Sequence, residues 1–404
     1  MHIKKIFVQF IAAGKPTIPH SKGVGAIFRY CLRYVVFGLL YGCSLGYRTI
    51  VQLRLKCYQH GIFERQALPC PVISVGNITT GGTGKTPLVI LIAQILQQHG
   101  QRVAILSRGY RRAGSAGILP VFPSWEGAGV GFPSALPNAR LIGDEPLLIA
   151  RKFRRGLVGR GCNPALPVVI VGKKRAAAGK LAFERFHPDV MLLDDGFQHL
   201  QLQRACDLVL IDATQPFGGN YLLPAGFLRE PVENLTRAHA FVITRSDEAA
   251  DLAPLCQRLR QINPAAPIFR GRHVFDELRQ AGTEERLELA RLQGKRLLSV
   301  SGVGNPASFQ RLLAQLGVNV VKTLDFPDHH WYAAQDLAAM QQAITAGRLD
   351  ALVTTEKDEA KLALHADFLG VPIYVIAITI EVQPQQEFEQ LLLALDARSY
   401  RKPE

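Results

Sequence analysis

Paired cysteines are missing from this sequence of 404 residues. Its seven cysteines are scattered, none belongs to a Cys-x-x-C pair, and none lies near histidines at the spacing of a zinc site. This pattern excludes a disulfide framework and a structural metal, and it predicts a reduced, cytosolic environment. A hydrophobic content of 48% is enough to bury one large core or two moderate ones, which excludes disorder and predicts two α/β domains.

Acidic residues are almost absent from the first 65 positions. This segment holds ten Lys and Arg residues against one acid, Glu64, so it carries +9 of the formal net charge of +14. A basic segment of this kind binds either nucleic acid or the anionic headgroups of lipids. Its apolar residues favour lipid, so we expect contact with a membrane surface and no binding of nucleic acid.

The uncharged part of this segment is shorter than a membrane span. The run from Tyr34 to Tyr47 would form about 21 Å of helix, whereas a span takes about 20 residues. Arg33 and Arg48 flank the run and can extend their guanidinium groups to the headgroups. We therefore predict an interfacial or partly inserted helix. A helix buried in a soluble core and a true transmembrane span are the alternatives.

Beyond residue 70, short β-branched runs alternate with helical stretches. This rhythm predicts an α/β fold with a parallel, doubly wound sheet covered by helices. The predicted strands are 71–75, 102–107, 167–171, 189–193, 206–211, 240–244, 296–302, 318–325, 351–355 and 372–378. Residues 246–292 are more polar, and we interpret them as helical and as the region of a domain boundary. The predicted parts are a basic, amphipathic, membrane-associated segment (1–65), a core domain (66–250) and a smaller C-terminal α/β domain (251–404).

A glycine-rich loop gives the strongest chemical signal. The segment GNITTGGTGKTP follows the strand 71–75 and precedes an apolar helix. Its glycines let backbone N–H groups close around phosphate oxygens, Lys85 can reach the β- and γ-phosphates, and Thr86 can ligate Mg²⁺. Thr79 replaces the usual first glycine of the G-x-x-x-x-G-K-[ST] pattern, and a structural turn is the alternative. The residues predicted to bind the nucleotide are Thr79, Thr80, Gly81, Gly82, Thr83, Gly84, Lys85 and Thr86.

Carboxylates occur at places where a phosphoryl-transfer enzyme would use them. Asp194 and Asp195 follow a buried strand, at the edge of the sheet where α/β proteins bind their ligands, so at least one is expected to hold Mg²⁺. Helix capping is the alternative. Asp144 starts a helical stretch, and His329 lies in an Asp-His-His loop, but neither pattern alone indicates catalysis. Asp247 follows Arg245 where a guanine-reading motif has lysine, so we interpret it as a strand end.

Eight separated motifs, in this order, are similar to those of one family. They are VGNITTGGTGKTP (75–87), SRGY (107–110), GDEP (143–146), LLDDGFQH (192–199), LPAGFLREP (223–231), SGVGNP (301–306), FPDHH (326–330) and VTTEKD (353–358). The chain resembles the tetraacyldisaccharide 4'-kinases, the lipid A 4'-kinases of Gram-negative bacteria. The resemblance covers nearly the whole chain.

This resemblance implies a fold and a reaction. The fold is a P-loop NTPase-type core domain of parallel sheet, with a smaller C-terminal α/β domain facing it across the active site and an N-terminal helix docked on the cytoplasmic face of the inner membrane. ATP and Mg²⁺ are the implied cofactors. The reaction moves the γ-phosphate of ATP to the 4'-hydroxyl of a tetraacylated glucosamine disaccharide 1-phosphate. The implied partners are this lipid and the membrane surface, without an obligate protein partner.

The resemblance also implies residue roles. Asp144 is expected to be the catalytic base and His329 its partner from the second domain. The expected metal ligands are Thr86, Asp194, Asp195 and Glu230. The expected contacts to the substrate are Arg108, Tyr110 and Arg229. A base and a partner on different domains would couple proton removal to domain closure, which would limit wasteful hydrolysis of ATP.

Some features depart from the family or leave other classes of function open. Arg111 follows SRGY where a small residue is expected, Phe197 stands where another apolar residue is common, and the loop 112–138 cannot be aligned by motif. The alternative function is a P-loop regulatory ATPase or GTPase cycling on a membrane. Such proteins carry a second lysine just before the paired glycines, where this chain has Thr80. A non-catalytic lipid-binding module is disfavoured by the intact P-loop lysine and the acidic pair.

Overall fold

The computed structural model describes residues 24–109, 117–121, 139–155, 166–283 and 285–394. The helices are α1 (Val24–Gln59), α2 (Lys85–Gln98), α3 (Ala139–Ile142), α4 (Asp144–Arg155), α5 (Arg175–Phe186), α6 (Ala253–Ile262), α7 (Pro306–Gln315), α8 (Ala334–Gly347), α9 (Glu356–Leu362), α10 (Ala366–Leu369) and α11 (Gln385–Leu393). Short 3-10 turns occur at Gly218–Asn220, Val232–Arg237, Leu289–Leu292 and Ala363–His365.

The strands are β1 (Val72–Asn77), β2 (Val103–Ser107), β3 (Leu119–Val121), β4 (Val168–Val171), β5 (Val190–Asp194), β6 (Cys206–Asp212), β7 (Ala240–Thr244), β8 (Ile268–Gln280), β9 (Arg286–Leu287), β10 (Leu297–Ser301), β11 (Val320–Asp325), β12 (Ala351–Thr355) and β13 (Ile373–Gln383). All ten predicted strands are confirmed. Strands β3, β8 and β9 were not predicted.

The described chain forms two compact units, each assembled from several stretches of sequence. The first unit contains the described residues up to Ala67, together with Ser74–Thr83 and Asp195–Gly271. The second contains Leu68–Ile73, the described residues from Gly84 to Asp194, and those from Arg272 onwards. Compact units of this kind do not define folding domains. The domain boundaries predicted after residues 65 and 250 therefore stay a prediction.

Parallel strands form the centre of the first unit. Strands β6, β7 and the beginning of β8 pair in parallel, and their side chains are mostly buried. Strand β1 ends beside them, and a Cβ atom at Gly76 would lie only 2.6 Å from the backbone N of Phe197. Glycine at this position therefore lets the start of the loop after β5 pass directly over β1. Phe197 itself is fully buried in the core of this unit, which joins the P-loop strand to the acidic motif.

Helix α1 is longer than the uncharged run that predicted it. It spans 36 residues, and its part Tyr34–Gln59 is long and apolar enough to cross a membrane, judged by length and composition alone. The predicted run ended at Tyr47, but the helix continues beyond it because Arg, Lys and Gln are good helix formers. Ser44 and Gln52 fasten it to the first unit through hydrogen bonds to Leu222 O and Asn234 Oδ1. Many of its other apolar side chains are exposed, namely Leu32, Tyr34, Val35, Leu39, Tyr41, Leu45, Ile50 and Leu53.

The second unit contains two runs of strands. Strands β5, β2 and β4 pair in parallel, and the short β3 is antiparallel to β4. Strands β11, β10, β12 and β13 form the other run, again in parallel. Helix α2, which follows the glycine-rich loop, packs against β13 and α11 of this unit. A mostly parallel α/β architecture is therefore confirmed.

Strand β8 corrects one interpretation made from the sequence. Residues 246–292 were interpreted as helical, and α6 does lie there, but β8 adds 13 strand residues. The alternation of polar and apolar residues that identifies a strand is missing, because charged residues occupy buried positions of β8. Glu277 and Arg279 are both buried and form an ion pair, and Arg279 also pairs with Glu359. A sequence does not show whether a charged residue is buried with a counter-ion or exposed to solvent.

Candidate active site

The first part of the glycine-rich loop is held by a second backbone segment of the first unit. The Thr80 amide donates a hydrogen bond of 2.8 Å to the carbonyl of Phe227, and the Arg229 amide donates one of 2.7 Å to the carbonyl of Ile78. The motif LPAGFLREP therefore has a structural function, because it pairs with the loop as a short strand would. Helix α1 contacts the same segment, since the Tyr47 hydroxyl donates to the carbonyl of Arg229 at 2.9 Å.

Two buried side chains hold the loop through hydrogen bonds. Asn77 Nδ2 donates to Thr83 Oγ1 at 2.9 Å. Arg245 donates through Nη2 to the carbonyl of Gly82 at 2.6 Å and pairs through Nη1 with Asp212. Sequence reasoning missed Arg245, because it compared the residue with a guanine-reading lysine. The signal was an arginine placed directly after a fully buried strand, where an unpaired charge would be costly.

Backbone conformation explains the glycines of the loop. Gly81 and Gly84 have φ values of 124° and 84°, in the left-handed region that side chains with a Cβ avoid. Gly84 is the N-cap of α2 and has no side chain that could cap the helix. The helix therefore begins without a side-chain cap, and a helix N-terminus favours an anion. Lys85 and Thr86 occupy the first turn of α2.

Asp195 and Arg229, two predicted site residues of the first unit, pair with each other. Arg229 Nη1 lies 2.8 Å from Asp195 Oδ1 and 2.9 Å from Oδ2. Asp195 has a φ of 54°, in the left-handed region that residues other than glycine seldom adopt. The roles predicted for them, metal ligand and substrate contact, stay predictions.

Glu230 is surrounded by hydrogen-bond donors. Its Oε1 accepts from Gln198 at 2.9 Å, and its Oε2 accepts from Asn234 at 2.9 Å and from Arg237 at 2.6 Å. The carboxylate is buried, and these donors neutralise and saturate it. A metal ion would have to displace them, so the geometry favours a structural role. The predicted role as a metal ligand stays a prediction.

Asp194 lies in the second unit, at the end of β5. It is almost fully buried, and its Oδ2 accepts a hydrogen bond of 3.2 Å from Ser107, the first residue of the SRGY motif. Arg108, the next residue of that motif, is exposed. Tyr110 lies outside the described residues, as does most of the loop 112–138.

The two predicted catalytic residues lie together in the second unit. Asp144 is the first residue of α4, and its Oδ2 is 3.3 Å from His329 Nδ1, although the residues are 185 positions apart in the chain. Lys361 Nζ lies 2.7 Å from the same oxygen. His329 has a φ of 60°, a strained conformation for a histidine. The predicted coupling of this contact to domain closure stays a prediction.

The surroundings of Asp144 keep its carboxyl group ionised. Burial alone would raise the pKa, but the hydrogen bond from His329 and the positive charge of Lys361 outweigh burial, so the pKa of Asp144 is lowered. Asp144 is therefore a carboxylate at neutral pH and can accept a proton. The helix N-terminus at which it lies favours the same charge state.

His329 is held on its other side by Lys357. Lys357 Nζ lies 3.3 Å from His329 Nε2 and 2.7 Å from Asp328 Oδ1. An ammonium group only donates, so a hydrogen bond between Lys357 and His329 requires Nε2 as the acceptor, which leaves Nδ1 as the donor to Asp144. Burial would raise the pKa of Asp328, but Lys357 and His329 lower it below its usual range. The loop is thus fixed with the imidazole ring facing Asp144.

Helix α9 supplies both lysines of this cluster. Thr355 caps the helix by accepting a hydrogen bond from the Asp358 amide. Lys357 and Lys361 are four residues apart, so they lie on one face of the helix. Neither lysine was predicted to have a role: Lys357 belongs to the VTTEKD motif, and Lys361 lies three residues beyond its end. The available signal was the spacing of two lysines on a short helix that begins at this motif.

Among the described residues, no group of three or more His, Cys, Asp or Glu side chains forms a preformed metal site. The candidate ligands Thr86 and Asp194 offer oxygen donors, which suit Mg²⁺. Mg²⁺ commonly keeps several waters and is held largely by the phosphates of a substrate. The donor set therefore fits a metal ion that arrives with a nucleotide.

Comparisons with known proteins agree on one family. The sequence profile of the family described as LpxK, tetraacyldisaccharide-1-P 4'-kinase, matches residues 36–396. The tetraacyldisaccharide 4'-kinase of Syntrophus aciditrophicus is 40% identical over 360 residues, which are 87% of this chain and 91% of that protein. The enzyme of the same name from Geobacter metallireducens is 36% identical over 357 residues, 88% of this chain and 97% of that one.

A solved structure is similar over the same length. The crystal structure of LpxK from Aquifex aeolicus in complex with ATP matches with a TM-score of 0.65 and 28% sequence identity. The match covers 89% of this chain and 99% of that protein. The fold predicted from the sequence is thereby confirmed.

The two roles considered for Glu230 predict different effects on stability. If the carboxylate mainly pairs with Arg237, Glu230→Gln should lower the free energy of unfolding by about 3 kcal/mol, because a buried guanidinium loses its counter-ion. Urea unfolding in detergent, with EDTA present, measures this loss. Glu233→Gln is the matched control, since Glu233 is exposed and its pairing with Arg48 should contribute less than about 0.5 kcal/mol. Equal stability of both variants would contradict the structural role and restore the metal role.

Proposed function

Because the chain belongs to the tetraacyldisaccharide-1-P 4'-kinase family, we propose that it transfers the γ-phosphoryl group of ATP to the 4'-hydroxyl of a tetraacylated glucosamine disaccharide 1-phosphate. The product would be lipid IVA, in the biosynthesis of lipid A. The observation that carries this proposal is Asp144, an ionised carboxylate held by His329 and Lys361 at the start of α4.

The phosphate end of the reaction requires a cradle of backbone N–H groups. The two left-handed glycines of the loop and the uncapped start of α2 have the features of such a cradle, and Lys85 follows directly. Thr86, Asp194 and Asp195 are the residues that we propose to hold Mg²⁺ or its waters. When bound, Mg²⁺ neutralises charge on the phosphate oxygens.

The hydroxyl end of the reaction requires a base. His329 and Lys361 both contact Oδ2 of Asp144, so we assign Oδ1 to the substrate hydroxyl. In the step, the 4'-oxygen forms a bond to the γ-phosphorus, the bond from that phosphorus to the bridging oxygen of ADP breaks, and the hydroxyl proton passes to Asp144. Arg108 and Tyr110 are proposed to contact phosphate or sugar groups of the lipid, and Arg229 is proposed to do the same.

An assay of label transfer tests the proposed reaction. Purified protein in detergent is incubated with Mg²⁺, γ-labelled ATP and tetraacyldisaccharide 1-phosphate, and label in the lipid is measured. Lys85→Met and Asp144→Asn should each lower kcat/KM by about 100-fold or more, because they remove phosphate binding and the base. Asp247→Asn is the control, since Asp247 is exposed and has no role in this proposal.

The outcome also decides between classes of function. Hydrolysis of ATP without labelled lipid would contradict the kinase and favour a regulatory ATPase that cycles on a membrane. Full activity of Asp144→Asn would leave the kinase in place but contradict the base.

His329 is expected to affect the transfer step and not the binding of ATP. Its imidazole contacts Asp144, Lys357 and Asp328, none of which belongs to the proposed phosphate cradle. His329→Ala should therefore lower kcat by about 100-fold, while the Kd of ATP, measured by calorimetry, changes little. A large loss of ATP binding in this variant would contradict the assigned role.

Helix α1 is proposed to dock the protein on the cytoplasmic face of the inner membrane. Its exposed apolar side chains and the positive charge of the segment support this placement. Leu39→Asp should weaken binding to vesicles of phosphatidylethanolamine and phosphatidylglycerol by about 10-fold or more, measured by flotation. Leu364→Asp is the control, because Leu364 is 80% exposed, against 68% for Leu39, and lies far along the chain. Equal losses in both variants would contradict docking through α1.

A further inference from the structure

We propose that Lys361 is a positioning residue for phosphoryl transfer, which keeps the Asp144 carboxylate charged and orients it so that Oδ1 receives the substrate proton. The proposal rests on the proposed function and deepens it. Lys361 does not need to contact substrate, because it acts through Asp144.

Burial is the first argument. The Lys361 side chain is 1% exposed, and an ammonium group removed from water is costly unless a counter-ion compensates it. Its Nζ lies 2.7 Å from Asp144 Oδ2 and 3.9 Å from Asp358 Oδ1. The shorter contact is thus the one to the proposed base. Without such a contact, the desolvation of this buried ammonium group would destabilise the fold.

Asp358 uses one carboxylate oxygen to hold the segments around Gly302 and Thr355. Its Oδ2 accepts hydrogen bonds of 2.8 Å from the Gly302 amide and from the Thr355 hydroxyl, so it fixes the start of α9 to the loop after β10. Tyr332 packs against it, and burial together with Asp358 raises the pKa of that phenol. Asp358 is therefore a second, more distant counter-ion of Lys361, whereas Asp144 is the carboxylate that Lys361 contacts and orients.

The two helices that carry this contact are fastened further along their length. Arg151 of α4 lies 3.8 Å from Glu359 of α9, and Lys152 lies 3.9 Å from Glu356. These pairs limit how far α9 can move relative to α4. The distance between Lys361 and Asp144 is therefore set by the helix pair and not by one flexible side chain.

The groups that surround Asp144 determine how it titrates. Lys361 and His329 contact it, Tyr332 lies near it, Glu145, Asp328 and Lys357 lie around His329, and Asp358 lies beside Lys361. Burial opposes ionisation of Asp144, and His329 and Lys361 offset it. Removing Lys361 would take away part of that offset, so the pKa of Asp144 would rise.

A pH profile tests the proposal with Lys361→Met, which keeps the length of the side chain and removes the charge. A higher pKa leaves less Asp144 ionised at low pH, so the acidic limb of kcat should move upward by about one pH unit or more. Transfer at neutral pH should fall about 10-fold because the carboxylate is no longer held in position, and raising the pH further should not restore it, since Asp144 is already ionised there. The Kd of ATP should not change. Lys322→Met is the matched control, because Lys322 is an exposed lysine of the same unit.

Two further variants separate positioning from folding. Lys361→Arg keeps the charge, so its acidic limb should stay at the wild-type pH even if kcat falls. In urea unfolding, Lys361→Met combined with Asp144→Asn should be more stable than Lys361→Met alone, because the second change removes a buried, uncompensated carboxylate. This cycle needs no activity and can be read even if Lys361→Met is only partly folded.

The experiments distinguish failure of the positioning role of Lys361 from failure of the proposed kinase reaction. A wild-type protein that labels no lipid would contradict the proposed function, whereas the unfolding cycle would still report on the ion pair. An active wild type with an unshifted acidic limb in Lys361→Met would overturn the positioning role. Additive effects on stability in the cycle would overturn it as well.

Discussion

Compensation of buried charge is the constraint on which this structure depends. Asp144 can be a carboxylate beneath the surface only because Lys361 and His329 accompany it. The same rule governs Arg279, which is fully buried and matched by Glu277 and Glu359. In both places the partners come from elements far apart in the chain, so folding of the second unit assembles the charges that it needs.

The glycine-rich loop follows a different rule, since its conformation is fixed by its backbone. Two glycines adopt φ values that other residues avoid, and the carbonyl of Gly82 is bonded by Arg245. The segment around Phe227 holds the first part of the loop through the Thr80 amide and the Ile78 carbonyl. A loop that is ordered before its ligand binds loses little conformational entropy on binding, which is the advantage of preorganisation.

Sequence reasoning succeeded where the signal is local. The strands before and after the glycine-rich loop, and the loop itself, have patterns contained within a few residues, and the structure has all ten predicted strands. It failed where a residue is explained by a distant partner. Strand β8 was missed because Glu277 and Arg279 are charged yet buried, and Arg245 and Lys361 were missed because Gly82 and Asp144 lie 163 and more than 200 positions away. The length of α1 was underestimated because its basic residues were taken as its ends.

A carboxylate whose pKa is lowered is a weak base, and the chemistry of phosphoryl transfer explains why that suffices. In a loose transition state the bond to the leaving group is largely broken before the new bond forms, so the hydroxyl proton becomes acidic late. A base then contributes mainly by its position and by its negative charge at the moment of transfer. As the proposed base, Asp144 meets both conditions, because its neighbours fix one oxygen and keep the group ionised. A base with a raised pKa would be protonated for part of the time, and the structure avoids that cost by placing a cation beside it.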